Sequence, residues 1–192
     1  MGTVRIVAGR LKGRRLRVPA GNALRPTSER AREALFNILG QDLSGCDVLD
    51  LYAGTGALGF EALSRGARRV VFVEAEPKTA VSLRRSAEEL GVDSMARVIV
   101  GRVEDVLDRR RLGGPFHVIV ADPPYGLLAA AGLVEAVDAG GVLGMHGTLV
   151  VERDERDPPR EGTPGLRRVR TAEYGRAVLD FFKYSNPGSG TQ

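Results

Sequence analysis

The segment Asp50-Leu51-Tyr52-Ala53-Gly54-Thr55-Gly56-Ala57-Leu58-Gly59 joins an apolar run to a helical stretch. Gly54, Gly56 and Gly59 have G-x-G-x-x-G spacing, in which glycines let a backbone turn tightly and approach a ligand closely. Asp50, four residues before Gly54, puts a carboxylate at the mouth of this loop, where it repels a pyrophosphate and favours a cation. Glu74 ends the next apolar run and can accept hydrogen bonds from ribose hydroxyls. Tyr52 lies inside the loop and joins the candidate ligand contacts. Further on, Val103 can stack on a planar ring, beside Glu104 and Asp105 as acceptors.

A second constellation follows a later apolar run. Residues His117-Val118-Ile119-Val120-Ala121 lead into Asp122-Pro123-Pro124-Tyr125. In an open α/β sheet, ligands lie at the carboxyl ends of the strands, so this tetrapeptide should face the glycine loop. An exocyclic amine on a base is a poor nucleophile, because its lone pair is delocalised into the ring. The Asp122 carboxylate and the Pro123 carbonyl can hold its two N–H groups. Pro123 and Pro124 fix φ and remove competing donors. Tyr125 can stack on a base taken out of its helix. Together, the acidic glycine loop and the tetrapeptide point to methyl transfer from S-adenosylmethionine to a planar amine. Positioning supplies most of the rate gain.

These residues need a scaffold of alternating strands and helices, and the sequence reads that way from Cys46 onward. Candidate strands are 48–52, 70–74, 97–100, 117–121, 148–152, 167–171 and 177–184, with helices near 57–65, 77–90, 103–111 and 129–139. Pro77 suits a first helical position and Gly91 the residue after a helix end. The expected fold is α/β, Rossmann-like, with a mostly parallel sheet covered on both faces. The last two strands have no helix between them, so they should form an antiparallel hairpin at one edge. Residues 27–40 read as a helix capped by Thr27 or Ser28, with Ala31, Ala34, Leu35 and Ile38 on one face. Amides near Thr27 can meet a cofactor carboxylate. Residues 1–26 read as a basic β-hairpin extension, 27–184 as the catalytic domain and 185–192 as a disordered tail.

Composition narrows the function classes. The chain has 192 residues, a formal net charge of +4 and one cysteine, Cys46. That excludes an internal disulfide, and with only His117 and His146 as histidines a metal centre is not expected. No apolar run spans a membrane and the start lacks an apolar signal core, so a soluble cytoplasmic protein is expected. Charge is uneven. Residues 1–32 carry nine basic side chains and one acid, Glu29; the rest of the chain carries 19 basic and 23 acidic ones. Arg10, Lys12, Arg14, Arg15, Arg17 and Arg25 therefore form a candidate surface for a nucleic-acid backbone. They crowd a short hairpin with few apolar residues to anchor it.

The stretch Arg25–Leu39 (RPTSERAREALFNIL), the stretch Asp50–Arg65 (DLYAGTGALGFEALSR), the opening RIVAGRLKGRRLRVP and the late Tyr174-Gly175 together resemble the RsmD family of class I methyltransferases. The resemblance covers residues 4–184. It implies a seven-stranded sheet and a bacterial 16S rRNA guanine-N2 methyltransferase acting on a loop of the assembled or late-assembling small ribosomal subunit. It also implies that Asp122–Tyr125 form the catalytic loop and that Asp50, Gly54, Gly56 and Glu74 hold S-adenosylmethionine. A monomer is expected. Arg102 departs from the small or amide side chain usual before the adenine contact. Adenine N6 or a protein glutamine amide are alternative substrates for the same tetrapeptide. A non-catalytic RNA-binding protein is opposed by the intact Asp50, Glu74 and Asp122. A nicotinamide oxidoreductase is opposed by Asp50 and the tetrapeptide.

Overall fold

The structure, a computed structural model, describes residues 3–18, 28–123 and 132–185. A hairpin of β1 (Thr3–Arg5) and β2 (Arg15–Arg17) precedes α1 (Glu29–Leu39). Then follow β3 (Asp47–Leu51), α2 (Ala57–Ser64), β4 (Arg69–Glu74), α3 (Pro77–Leu90) and β5 (Ala96–Val100). Two single turns, α4 (Val103–Val106) and α5 (Arg109–Leu112), lead to β6 (Phe116–Ala121). The described chain ends with α6 (Leu133–Ala139), β7 (Leu143–Asp154), β8 (Leu166–Tyr174) and β9 (Ala177–Tyr184).

β3 to β9 form a seven-stranded sheet in the order β5-β4-β3-β6-β7-β9-β8. The first five of these strands are parallel, and β9 runs antiparallel to both β7 and β8. The order reverses between β3 and β6, where such a sheet opens a crevice at its carboxyl ends. One face carries α1, α2, α3 and the hairpin over Val48, Val70, Phe72 and Val120; the other carries α4, α5 and α6 over Leu49, Leu51, Val71 and Ile119. The expected antiparallel hairpin of the last two strands forms one edge of the sheet, with β8 outermost and β9 between β7 and β8. In β9, Val178, Leu179, Phe181 and Phe182 are buried, whereas β8 presents Arg167, Arg168 and Arg170 to solvent. A charged strand blunts an edge that would otherwise template aggregation. Asp180, fully buried, ties the three strands: it accepts from Arg153 Nε at 2.8 Å and from Thr171 Oγ1 at 2.7 Å.

Ser28, one of the two caps expected for α1, accepts from Ala31 N at 3.1 Å. Other boundaries differ from the sequence reading. The expected helix over 103–111 breaks at Leu107, and Asp108 caps a new turn by accepting from Arg110 N and Arg111 N. β7 starts five residues earlier than expected, because the glycine-rich stretch holding His146 is a wide bulge: Phe116 faces Leu143, but Val118 faces Thr148. Ser185 is still part of the fold, its N–H donating to Gly165 O at 2.9 Å. Cys46, half-buried, packs beside the first core, and burial pushes its thiol pKa up. His117 accepts from Asp47 N at 3.0 Å, joining β6 to β3 at their amino ends.

The hairpin is better anchored than its composition suggested. Val4, Ile6, Leu11 and Leu16 are buried in the first core, alternating with the exposed Thr3, Arg5, Arg15 and Arg17. Four residues suffice because α1 and α2 supply the rest of the apolar surface.

α2 presses on β4 at Gly59. A Cβ there would stand 2.3 Å from the Phe72 ring and 2.9 Å from Asp50 Oδ2. Gly59→Ala gains about 1 kcal/mol of helix propensity but forces overpacking against a fully buried ring. A net loss of about 1–3 kcal/mol is expected in denaturant unfolding. An equal or higher midpoint would show that α2 has room to move.

Candidate active site

β3 and β6 pair in register from Val48↔Val118 to Leu51↔Ala121, which sets Tyr52 beside Asp122 where the strands end. β4 pairs Leu51 with Val73, so Glu74 stands at the same level on the other side. Tyr52, Glu74 and Asp122 thus share one rim at the switch point. Asp50 lies one layer below, 2% exposed, rather than at the mouth as the sequence spacing suggested. The pleat turns it toward α2, and its Oδ2 accepts from Gly59 N at 2.9 Å.

The carboxylates around the glycine loop do structural work. Glu74 Oε2 accepts from Gly54 N at 2.8 Å and Oε1 accepts from Glu76 N at 2.8 Å. Each oxygen keeps a lone pair for a ligand hydroxyl. Burial pushes the Asp50 pKa well up, the Gly59 N–H partly offsets this, and the charges of Asp122 and Glu74 push it further. Three mutually repelling carboxylates around one loop favour a cation and disfavour a phosphate.

Gly54 and Gly56 have φ of 54° and 75°, the left-handed values a glycine takes without strain. A Cβ on Gly56 would run into Leu83 and Phe60, so this glycine serves the backbone turn and the core rather than open space for a ligand. Tyr52 has φ of 57°, unusual for a side chain. By strand alternation it would follow Asp50 to the α2 face. The left-handed turn sends it to the other face, where its hydroxyl donates to Glu104 Oε1 at 3.1 Å. Burial and the Glu104 charge push the Tyr52 pKa up. Arg102 Nε also reaches Glu104, at 3.4 Å, which explains the departure at that position as a partner for the acid. Val103 is 3% exposed and packs in the second core, leaving Glu104 as the polar group on that rim.

Asp122 is partly exposed and Pro123 buried at the end of β6. Pro124, Tyr125, Arg25 and Thr27 lie outside the described residues. Among the described residues, no group of three His, Cys, Asp or Glu can hold a metal ion. No described helix is long and apolar enough to cross a membrane.

The basic hairpin sits on the α2 side. Arg10 Nε donates to Leu63 O at 3.3 Å, Arg14 donates to Glu89 O at 2.5 Å, and Arg17 pairs with Glu89 at 3.3 Å. Lys12 and Arg15 are exposed. The tip thus lies at the C-terminal end of α2, about 12 Å along that eight-residue helix from the glycine loop. Sequence reasoning missed Glu61 and Arg32, both buried charges beneath the hairpin. Their only sequence signal is an acid or base on a helix, which usually faces water.

The comparisons agree with this geometry. The family described as Conserved hypothetical protein 95 matches residues 4–183. The Haemophilus influenzae protein named Ribosomal RNA small subunit methyltransferase D is 36% identical over 159 residues, 82% of each chain. A solved Thermus thermophilus structure described as a hypothetical protein has a TM-score of 0.79 at 31% identity, covering 94% of this chain and 99% of that one. A Salinibacter ruber RNA methyltransferase, solved with S-adenosyl-L-homocysteine, shares the fold at a TM-score of 0.62 and 15% identity, covering 86% and 97%. The sheet order, the glycine loop and the Asp-Pro-Pro-Tyr strand end thus occur in a chain that belongs to the Conserved hypothetical protein 95 family, that of ribosomal RNA small subunit methyltransferase D.

Proposed function

We propose that this chain transfers a methyl group from S-adenosylmethionine to the exocyclic N2 amine of a guanine in 16S rRNA of the small ribosomal subunit. The observation that carries the reading is the meeting of Asp50, Glu74 and Asp122 around a glycine loop at the sheet's switch point. The fold is that of class I methyltransferases, and relatives carry the name of small-subunit rRNA methyltransferases. The choice of guanine N2 rests on the family resemblance.

S-adenosylmethionine supplies an electrophilic methyl group on a sulfonium, and the residues present fit it. The carboxylate cluster suits its positive charges. Glu74 has lone pairs for ribose hydroxyls, and amides near Thr27 suit its carboxylate. Tyr52 and Glu104 form the adjoining rim, with Val103 packed beneath. Asp122 and the Pro123 carbonyl hold the amine N–H groups and draw its lone pair toward the methyl group. Pro124 stiffens the loop and Tyr125 stacks on the base. Arg10, Lys12, Arg14, Arg15, Arg17 and Arg25 grip rRNA phosphates. Those pinned to carbonyls still have free N–H donors, because a guanidinium carries five. Contacts the length of α2 away from the glycine loop, about 12 Å, suit backbone positioning rather than reading of bases.

Asp122→Ala should lower turnover about a hundredfold, about 3 kcal/mol of lost transition-state stabilisation. Titration should show cofactor affinity falling far less, by only a few-fold, because Asp50 and Glu74 keep the acidic surroundings of the cation. Near-wild-type turnover would remove Asp122 from the chemistry.

A pH dependence follows from Asp50. Its carboxyl is held above the usual range, and a bound cation favours the ionised form. Cofactor binding should therefore release protons, and affinity should rise as pH climbs through the raised pKa, then level off. Calorimetry in buffers of different ionisation enthalpy reads this directly. Buffer-independent heats and a flat pH profile would separate Asp50 from the cofactor.

A further inference from the structure

We infer that Glu61 is a positioning residue: a buried carboxylate that clamps the RNA-gripping hairpin to the helix leaving the cofactor loop. The inference rests on the reading of the hairpin as an RNA contact. Glu61 is fully buried in α2. Its Oε2 accepts from Val7 N at 2.8 Å, and its Oε1 from Ala8 N at 3.0 Å and from Arg65 Nε at 3.0 Å. One turn later, Ser64 Oγ accepts from Leu11 N at 2.9 Å and donates to Ala8 O. From α1, the buried Arg32 donates to Arg5 O at 2.7 Å.

The pattern is a seat for backbone, not for side chains. An anion receives the consecutive N–H groups of Val7 and Ala8, and a cation receives the Arg5 carbonyl two residues before them. The hairpin also comes unusually near the helix: a Cβ on Gly9 would stand 2.0 Å from Ser64 O, and Gly9 has φ of 77°. A chain held by its backbone leaves Lys12 and Arg15 facing outward and Arg10, Arg14 and Arg17 tied by one donor each at its margin. Gly56, in the tight glycine turn, is the N-cap of α2. The clamp therefore sets RNA-facing cations and cofactor loop on one rigid body, fixing the distance between gripped phosphates and the transferred methyl group.

Charge alone is not what the seat requires. It requires two acceptor oxygens facing donors, because a buried N–H left unmade costs its full desolvation penalty. Glu61→Gln keeps the shape but swaps one acceptor for an NH₂ group, which must face an N–H. The hairpin then loosens while the apolar contacts of α2 remain.

The test uses the full chain and small ribosomal subunits lacking the methyl group. In Glu61→Gln, hydrogen exchange should accelerate at the Val7 and Ala8 amides with α2 still protected. KM for the subunit should rise about tenfold, while single-turnover rate at saturating subunit and S-adenosylmethionine affinity stay within about twofold. Should Glu61→Gln fail to fold, Ser64→Ala is the milder variant, with the same direction and a smaller shift in KM. Loosened amides with unchanged KM overturn the inference, as does a common fall in stability, turnover and cofactor affinity. A variant lacking the charges of Arg10, Lys12, Arg14 and Arg15 separates the two layers. If it loses subunit affinity while Glu61→Gln does not, the clamp fails alone. If neither does, the reading of the hairpin as an RNA contact has failed, and the inference with it.

Discussion

The hydrogen bond from the Gly59 amide to the buried Asp50 carboxylate is the contact around which this chain is arranged. It joins the end of β3 to the first turn of α2 and so fixes the loop between them. A buried anion is costly unless it is hydrogen-bonded, and here Glu74 and Asp122 add repulsion. The apolar packing of Phe60 and Phe72, whose ring centroids are 4.9 Å apart, holds the strained arrangement in place. On the proposed reading, the site is thereby prepared for a positive charge before any ligand arrives. Preorganisation of this kind moves the electrostatic cost from the reaction to folding.

Buried charges recur where the fold must choose one register. Asp180 takes Arg153 and Thr171 and aligns β7, β9 and β8; Glu61 and Arg32 take the backbone of residues 5–8 and seat the hairpin. A buried ion pair is weak support for stability, since well-packed apolar residues often do as well. In β9, Asp180 sits within an apolar run and pairs with Arg153 of β7 and Thr171 of β8, so a shift of β9 by one residue would move a buried charge away from both partners.

The basic surface is less free than its composition implies. Arg10, Arg14 and Arg17 each spend a donor on α2 or α3, which lowers the side-chain entropy that any further contact would cost. An arm tied in this way stands at a defined distance from the rim formed by Tyr52, Glu74 and Asp122.

The sequence by itself determined the local features. The glycine loop, Asp122 after an apolar strand, Ser28 before a helix and Pro77 and Gly91 around another were legible because their signals lie within a few residues. Strand alternation with helices was legible for the same reason, and it carried the parallel sheet with it. Only the tertiary structure decided which way Asp50 faces, that Tyr52 breaks the pleat, that Val103 is spent in the core, and that β9 rather than β8 is interior. It alone found Glu61 and Arg32. An acid on a helix reads as solvent-facing until a distant segment brings its amides to it, and Val7 and Ala8 lie more than fifty residues from Glu61. Periodicity measures how apolar a position is; it does not measure which backbone donors the fold will bring there.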